Sequence, residues 1–405
     1  MTRALALGTA VIFALARHAA AEDADLHGYV DCRLVVPSSE RSWTEGGLGK
    51  TRFGSGGVTP TCAQAGLVGT WQATPSLLAL ADVQYATTSG GTLSVLEAYL
   101  RYRPVSTTPL RASFKLGVFF PPISLENDAI GWTSPWTLTP SAINSWIGEE
   151  FRSVGGEAQL EWRGDGYSVD GIAALVRSND PAGELLAARG WSLSDLTSGL
   201  GTRVREPDVY ARDNGEGVPL RFNPFLENDG RLGWYAGGTW RAPGRARVTF
   251  LRYDNRADPS TQSGGMSPVF SWHTKFWSGG AEAQWQHIVV LAQAMTGSTE
   301  IAPSPFFSTS TDFRAAYVLL GWNVGTWRVA MRGDAFSTEQ LPRSLAGRTR
   351  ENGSAATFAL NWRPVEWLRL TGEWLQVWST RNQIAPAMPE RTVDRQIQFA
   401  ARVLF

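Results

Sequence analysis

The chain has 405 residues with 37 basic and 37 acidic side chains, so its formal net charge is zero at neutral pH, which argues against a nucleic-acid partner. Its mean hydropathy is −0.17, and no apolar run reaches the roughly 20 residues that a membrane-spanning helix needs. Its 18 Trp, 18 Phe and 9 Tyr nevertheless exceed what a soluble protein normally carries, and membrane-spanning β-strands reconcile these facts because their lipid-facing and lumen-facing residues alternate.

The N-terminus has the pattern of a secretory signal peptide. Arg3 precedes an apolar run over residues 4–16, and the small residues 19–21 follow as at a cleavage site. We expect a signal peptide over residues 1–21 and a mature chain over residues 22–405. Cleavage removes Arg3 and Arg17, which leaves the mature chain a net charge of about −2.

The mature chain repeats one hairpin pattern seven times. An alternating run ends on an aromatic residue, a polar or basic residue and a short turn follow, and a second alternating run returns. The seven pairs are Trp71-Gln72, Tyr102-Arg103, Trp162-Arg163, Trp240-Arg241, Trp285-Gln286, Trp322-Asn323 and Trp362-Arg363. The aromatic residue always falls on the apolar face, as in the aromatic girdle at a membrane interface.

Such alternating segments predict sixteen strands. They cover residues 26–36, 62–73, 76–88, 92–103, 109–120, 149–163, 166–178, 231–242, 244–255, 273–286, 287–299, 311–323, 326–338, 353–363, 366–380 and 394–405. The fold class is therefore all-β: a transmembrane antiparallel β-barrel of about 16 strands, with short periplasmic turns and long extracellular loops. A soluble β-sandwich, the alternative, would not turn its apolar faces outward.

The last strand ends on an apolar stripe of alternate residues that closes on Phe405. This resembles the C-terminal assembly signal of bacterial outer-membrane proteins. The resemblance implies the barrel-assembly machinery, membrane lipid and lipopolysaccharide as partners.

The strand number, Phe405 and the long third loop after Phe120 together resemble the sixteen-stranded bacterial porin superfamily over the mature chain. The resemblance implies passive diffusion of small hydrophilic solutes or ions across the outer membrane, a homotrimer as one expected assembly, and no cofactor. Both general porins and the phosphate-selective porin group are similar. The acidic-Phe-Gly signature of the general-porin third loop is absent, and the sequence has only three lysines, so the subfamily stays open.

Residues 121–148 form the predicted third loop. By the same resemblance it folds into the lumen, where it narrows the channel. Its candidate constriction residues are Glu126, Asp128, Trp132, Trp136 and Trp146. The alternative is a loop that covers the outer mouth.

The predicted fourth loop, residues 179–230, includes a helix-like stretch over residues 182–196. A loop of this length is usually functional, so we expect a lid or a second plug.

Strand parity turns ten basic residues into the lumen, among them Arg369 and Arg402. Five of the ten cluster on neighbouring strands or share one strand: Arg101, Arg111, Lys115, Arg328 and Arg332. We expect Glu126 and Asp128 to lie opposite the first three, which would create a transverse field across the channel. The alternative is that these basic residues pair with nearby lumen acids for structural reasons, since parity places acids and bases in the lumen in equal number.

Two cysteines, Cys32 and Cys62, enter an oxidising compartment, where a disulfide is one expectation. The alternative is two small apolar residues on the barrel wall.

The remaining polar motifs favour no chemistry. Glu-Asn-Asp clusters at residues 126–128 and 227–229 offer oxygen ligands suited to calcium, but turn-forming composition is the simpler explanation and we expect no metal. No catalytic motif accompanies the three histidines of the mature chain, so we expect no enzyme. An adhesin or scaffold barrel that uses its outer loops, without conductance, is the alternative function.

Overall fold

The computed structural model describes residues 23–87, 92–209, 221–264, 268–342, 349–382 and 391–405. The expected signal peptide and residues 210–220 of the fourth loop lie outside these ranges. Within them, no helix is long and apolar enough to cross a bilayer.

Sixteen antiparallel strands form one closed barrel, in which each strand pairs with its neighbours in the chain and β1 pairs with β16. They are β1 (Ala24–Val36), β2 (Thr59–Thr74), β3 (Leu77–Ala86), β4 (Thr92–Tyr102), β5 (Leu110–Phe119), β6 (Ser153–Arg163), β7 (Ser168–Arg177), β8 (Gly233–Ala242), β9 (Ala246–Asp254), β10 (His273–Trp285), β11 (Ile288–Ser304), β12 (Phe307–Val324), β13 (Trp327–Pro342), β14 (Thr349–Val365), β15 (Leu368–Arg381) and β16 (Arg391–Leu404). The predicted all-β barrel of sixteen strands is confirmed.

Two predictions about local structure are wrong. Residues 149–152 are not strand, because helix α1 (Ala142–Glu150) occupies this part of the third loop and β6 begins at Ser153. The fourth-loop helix α2 (Glu184–Arg189) has six residues, far fewer than the predicted stretch. Gly183 and Gly190, both with positive φ, bound it at either end.

The two faces of the wall follow the predicted alternation. The seven repeated aromatic residues are exposed on the outside, with Trp162 at 50% and Trp285 at 69% exposure. Alternate positions such as Glu157, Asp170 and Glu373 are buried on the inner face. We call the rim that carries the short turns, next to these aromatic residues, the turn rim.

The tight turns at this rim place a residue in the left-handed region. Gly244 and Gly325 adopt φ values of 68° and 59°, where a glycine has no steric penalty. At the one predicted turn without Gly, Pro or Asn, Gln286 itself adopts a φ of 53°.

The apolar core of the molecule lies inside the barrel. Trp146 of α1 packs edge-on against Phe151, Trp191 and Phe313, with ring centroids 4.6, 5.6 and 4.8 Å away. Phe276 and Phe313 come from the inner faces of β10 and β12, while Trp191 comes from the fourth loop. Loops 3 and 4 therefore pack both against each other and against the inner face of the barrel wall.

Cys32 on β1 and Cys62 on β2 form a disulfide. It closes a segment of 30 residues that holds the whole first loop, so both ends of this loop are fixed at the same place on the wall.

Candidate constriction and vestibule

The third loop, residues 120–152, lies inside the barrel and is clamped to the wall just before α1. Glu373 of β15 accepts hydrogen bonds from the backbone N–H groups of Leu138 and Thr139, at 2.5 and 3.1 Å. Asp334 of β13 accepts from Ala142 N at 3.1 Å. Wall carboxylates thus satisfy the free N–H groups that precede and begin the helix.

Glu126, the first predicted constriction residue, is fully buried in this clamp. Its carboxylate forms an ion pair with Arg332 Nη1 at 3.3 Å and accepts from Ser141 N at 2.6 Å. Arg332 also donates to the carbonyl oxygens of Thr139 and Pro140, at 2.8 and 3.0 Å. Glu126 pairs with Arg332 on the side of the ring opposite Arg101, Arg111 and Lys115, so it contributes little to the expected transverse field.

Asp128 has a different environment. It is exposed at the turn-rim side of the third loop, where Arg247 and Arg328 are the nearest cations. Burial of part of the side chain raises the pKa of Asp128, and Arg247 opposes this rise.

The three predicted tryptophans all pack, each against a different surface. Trp132 stacks on Phe120 with ring centroids 4.2 Å apart. Trp136 lies so close to Gly321 of β12 that a Cβ there would stand 2.3 Å from its ring. Trp146 is the centre of the aromatic core described above. The three tryptophans therefore hold the third loop in place by packing.

The fourth loop covers α1 from the other side. Arg189 of α2 forms an ion pair with Glu149, and Trp191 Nε1 donates to Ser337 O at 3.0 Å. Ser198 N donates to Gly148 O at 2.9 Å. The third and fourth loops therefore form one unit inside the lumen, with α1 in the middle.

Two carboxyl groups on α1 are buried at this contact. Burial raises the pKa of Glu149 to about 7, although Arg189 lowers it. Burial also raises the pKa of Glu150 to about 7, although the N–H of Leu185 lowers it.

The basic residues predicted to line the lumen do so, but in two separate places. Arg111 pairs with Glu161 at 2.8 Å and Lys115 with Glu157 at 2.8 Å, both across β5 and β6. Arg101, on the neighbouring strand β4, has no ion pair with any described residue. Arg328 and Arg332 lie on β13, on the opposite side of the sixteen-stranded ring. For Arg111, Lys115 and Arg332, pairing with nearby acids is the observed arrangement.

Below the third loop, at the turn rim, the lumen holds a cavity of about 800 Å³, which we call the vestibule. Its charged lining consists of Asp128, Arg328, Arg363, Glu366, Arg369 and Arg402. Of these, Asp128 and Arg328 were among the predicted site residues. Strand parity places Arg369 and Arg402 in the lumen, but only the register of β15 with β16 shows that they are direct neighbours.

A second, polar cavity of about 10 Å³ lies between loops 3 and 4. Asn127, Trp132 and Asn144 line it from the third loop, and Ser194 and Asp195 line it from the fourth. In this conformation the loops thus leave room here for little more than one water molecule.

One of the two Glu-Asn-Asp clusters meets a third carboxylate. Asp180, Glu227 and Asp229 bring one oxygen each within 4.8 Å of one another. Each already accepts a backbone N–H, from Asn228, Ser178 and Arg231 respectively. The turn-forming role weighed in the sequence analysis accounts for these contacts.

No known family profile matches the sequence, and no curated protein does. Among solved structures, the outer membrane channel DcaP of Acinetobacter baumannii is similar, with a TM-score of 0.51, 12% identity, and 95% of this chain and 99% of that chain covered. OmpT of Vibrio cholerae, an outer membrane protein in a trimer form, has a TM-score of 0.49, 12% identity and coverage of 94% and 99%. The anion-selective porin from Comamonas acidovorans has a TM-score of 0.47, 10% identity and coverage of 94% and 99%. The chain has the fold of the DcaP outer membrane channel.

Proposed function

We propose that this chain is an outer-membrane channel for small hydrophilic solutes or ions, narrowed by its third and fourth loops. The observation that carries this proposal is the vestibule, a charged cavity of about 800 Å³ inside the barrel wall. An apolar outer wall with aromatic residues at the turn rim suits a lipid bilayer. A charged cavity inside that wall has a role only if it holds water and polar solutes.

The third loop is the primary constriction in this proposal. Its contacts with Arg332, Asp334 and Glu373 hold it inside the lumen, and a small polar cavity borders its Asn127 and Trp132. The fourth loop supports α1 from the other side and acts as a second plug. A channel built in this way passes small solutes slowly, and larger ones only when the loops move.

Liposome swelling tests the proposal directly. Vesicles that hold the folded protein should swell in an isotonic solution of a small sugar, more slowly in a larger sugar, and not at all in a polymer. Vesicles without protein provide the control. Absence of swelling in every solute, with the protein demonstrably folded, would contradict a diffusion channel.

An adhesin or scaffold barrel is the second candidate, and the filled lumen favours it. Loops 1, 3 and 4 all contribute buried residues inside the barrel, as a barrel without transport requires. The two candidates differ in conductance, because a scaffold retains its plug under all conditions.

We propose no catalytic activity. His273 is the histidine nearest to the outer loops, and its two ring nitrogens face Asp254 and Glu300 at 3.1 and 3.3 Å. Neither nitrogen is left to activate a serine. Incubation with ester and peptide substrates should give no turnover above that of the buffer.

The proposed partners are those that would contact the last strand and the outer wall of the barrel. Phe405 exchanges backbone hydrogen bonds with Gly28, which closes the barrel at the turn rim, and we propose that this terminal strand is read by the assembly machinery. Membrane lipid and lipopolysaccharide would surround the wall. A homotrimer is the proposed assembly, and light scattering of the detergent-solubilised protein tests it.

A further inference from the structure

Two arginines stand side by side on the vestibule wall with no carboxylate between them. Arg369 of β15 is the direct cross-strand partner of Arg402 on β16, and both side chains line the vestibule. Like charges directly opposite each other on antiparallel strands destabilise a sheet. An arrangement of this kind needs a compensating negative charge close by.

The described residues do not supply that charge to Arg369. Asp31 pairs with Arg402 at 2.8 Å, but it also pairs with Arg33 at 2.5 Å and so already neutralises two guanidinium groups in part. Arg369 forms no ion pair and no hydrogen bond with any described residue, and its Nε atom is buried without a partner. Arg369 is half-buried, and its Nε–H group has lost water without gaining an acceptor, which costs free energy.

A third arginine on the same wall is satisfied only by neutral groups. Arg328 donates to Asn323 Oδ1 and to Pro135 O, both at 2.9 Å, and its charge lies 4.5 Å from the ring of Trp136. The vestibule therefore carries an excess of positive charge, because Asp128 and Glu366 are the only carboxylates among its described lining residues.

We propose that the vestibule is a binding site for small oxyanions, namely carboxylates or inorganic phosphate, with Arg369 as the main ligand and Arg402 and Arg328 beside it. The planar guanidinium fork matches the paired oxygens of both ligands. A bound oxyanion satisfies the Nε atom of Arg369 and removes the repulsion between Arg369 and Arg402. The cavity has ample volume for such an ion with part of its hydration shell.

This inference deepens the proposed channel, since it names a class of solute that the channel holds, but binding is measurable without conduction. The test is calorimetric titration of the folded, detergent-solubilised chain with inorganic phosphate and, in a separate arm, with succinate. Saturable binding of one or both is expected, and the arm that binds identifies the oxyanion. Affinity should fall as salt rises from about 0.01 M to about 1 M, because the screening length shortens.

Arg369→Gln should weaken binding by about ten-fold or more. Arg245→Gln is the matched control: it removes the same charge from an exposed turn at the same rim, outside the vestibule lining, and should leave binding unchanged. Arg369→Lys keeps the charge without the fork and should bind with intermediate affinity.

A stability readout separates binding from misfolding. Without anion, Arg369→Gln should unfold at the same temperature as the wild type or higher, because it relieves the like-charge pair. Phosphate or succinate should raise the unfolding temperature of the wild type and of Arg245→Gln but not of Arg369→Gln. No saturable binding to the wild type, or equal binding to Arg369→Gln, would overturn the proposal, and either result leaves the conductance test of the channel untouched.

Discussion

Arg332 is the residue on which the position of the third loop depends most. It contacts Glu126, Asp334 and two loop carbonyl groups from one buried guanidinium. Arg332→Met would leave Glu126 as a buried charge without its partner, which costs about 3–5 kcal/mol. We expect the loop to leave the wall while the barrel stays folded, so limited proteolysis should cleave within residues 121–148.

The matched control removes an arginine from an exposed ion pair. Arg350 pairs with Glu339 at 2.8 Å at the rim opposite the turn rim, and Arg350→Met should cost about 1 kcal/mol at most. Equal protease resistance of Arg332→Met and Arg350→Met would show that the clamp does not hold the loop.

Trp146 fixes α1 within the aromatic core. Trp146→Ala removes contacts with Phe151, Trp191 and Phe313 and leaves a cavity, which should cost about 3–5 kcal/mol of loop docking. Hydrogen exchange of α1 amides should accelerate accordingly, while exchange in the barrel strands stays slow. Acceleration of both to the same degree would mean that loop and barrel unfold together.

Glu150 gives the loop unit a pH dependence. Its pKa is raised to about 7, so its contribution to docking is fully present below the ordinary carboxyl pKa and is lost as the pH rises through about 7. The charged or titratable groups that face it are Glu149, Glu184 and Arg189. Exchange of α1 amides should therefore indicate weaker docking at about pH 8 than at about pH 5, after correction for intrinsic exchange.

Glu150→Gln keeps this side chain neutral at every pH. The variant should lose part of the pH effect, and the remainder comes from Glu149 and Glu184, whose pKa values are also raised by burial. An unchanged pH dependence in Glu150→Gln would assign the effect to another group.

At the scale of elements, the turn between β10 and β11 has a backbone conformation that is unfavourable for the residue it contains. Gln286 adopts a left-handed φ of 53°, which costs a residue with a side chain about 1 kcal/mol relative to glycine. Gln286→Gly should therefore raise the unfolding temperature of the barrel. Gly325→Ala, at a turn with a φ of 59°, should lower it. Shifts of the same sign in both variants would contradict this reason.

The disulfide between β1 and β2 should contribute about 3–4 kcal/mol, because it closes a loop of 30 residues in the unfolded chain. Replacement of both Cys32 and Cys62 by Ser should lower the temperature at which the folded form converts to the unfolded band in gel electrophoresis. An unchanged transition would show that the pairing of β1 with β2 suffices to hold the first loop.

The sixteen strands were predictable because each one carries its own signal. The girdle aromatics, such as Trp162 and Trp322, mark the turn end of each hairpin, and the period of two fixes which residues face lipid. Helix α1 was not predictable in the same way. All nine of its residues are buried, so apolar and polar side chains occur on every face of the helix. No amphipathic period therefore distinguishes this segment from a strand.

At the scale of the whole molecule, the candidate site was predictable as a set of residues but not as a set of contacts. Parity correctly turned Arg111, Lys115 and Arg332 inward, yet their partners depend on strand register and on where the loops lie. Glu126 is held by a strand about 200 positions later in the chain, which no local pattern encodes. Parity also places Arg369 in the lumen, but the missing partner of its Nε atom depends on the three-dimensional arrangement.

The proposed channel function requires that the third and fourth loops, which fill the lumen, can move away from the wall. Single-channel recording in planar bilayers compares the wild type with Arg332→Met, the variant that releases the third loop. We expect small conductance steps from the wild type and larger, noisier steps from Arg332→Met, with Arg350→Met like the wild type. An absence of conductance in all three proteins, each shown to be folded, would contradict the channel and leave the scaffold barrel as the function.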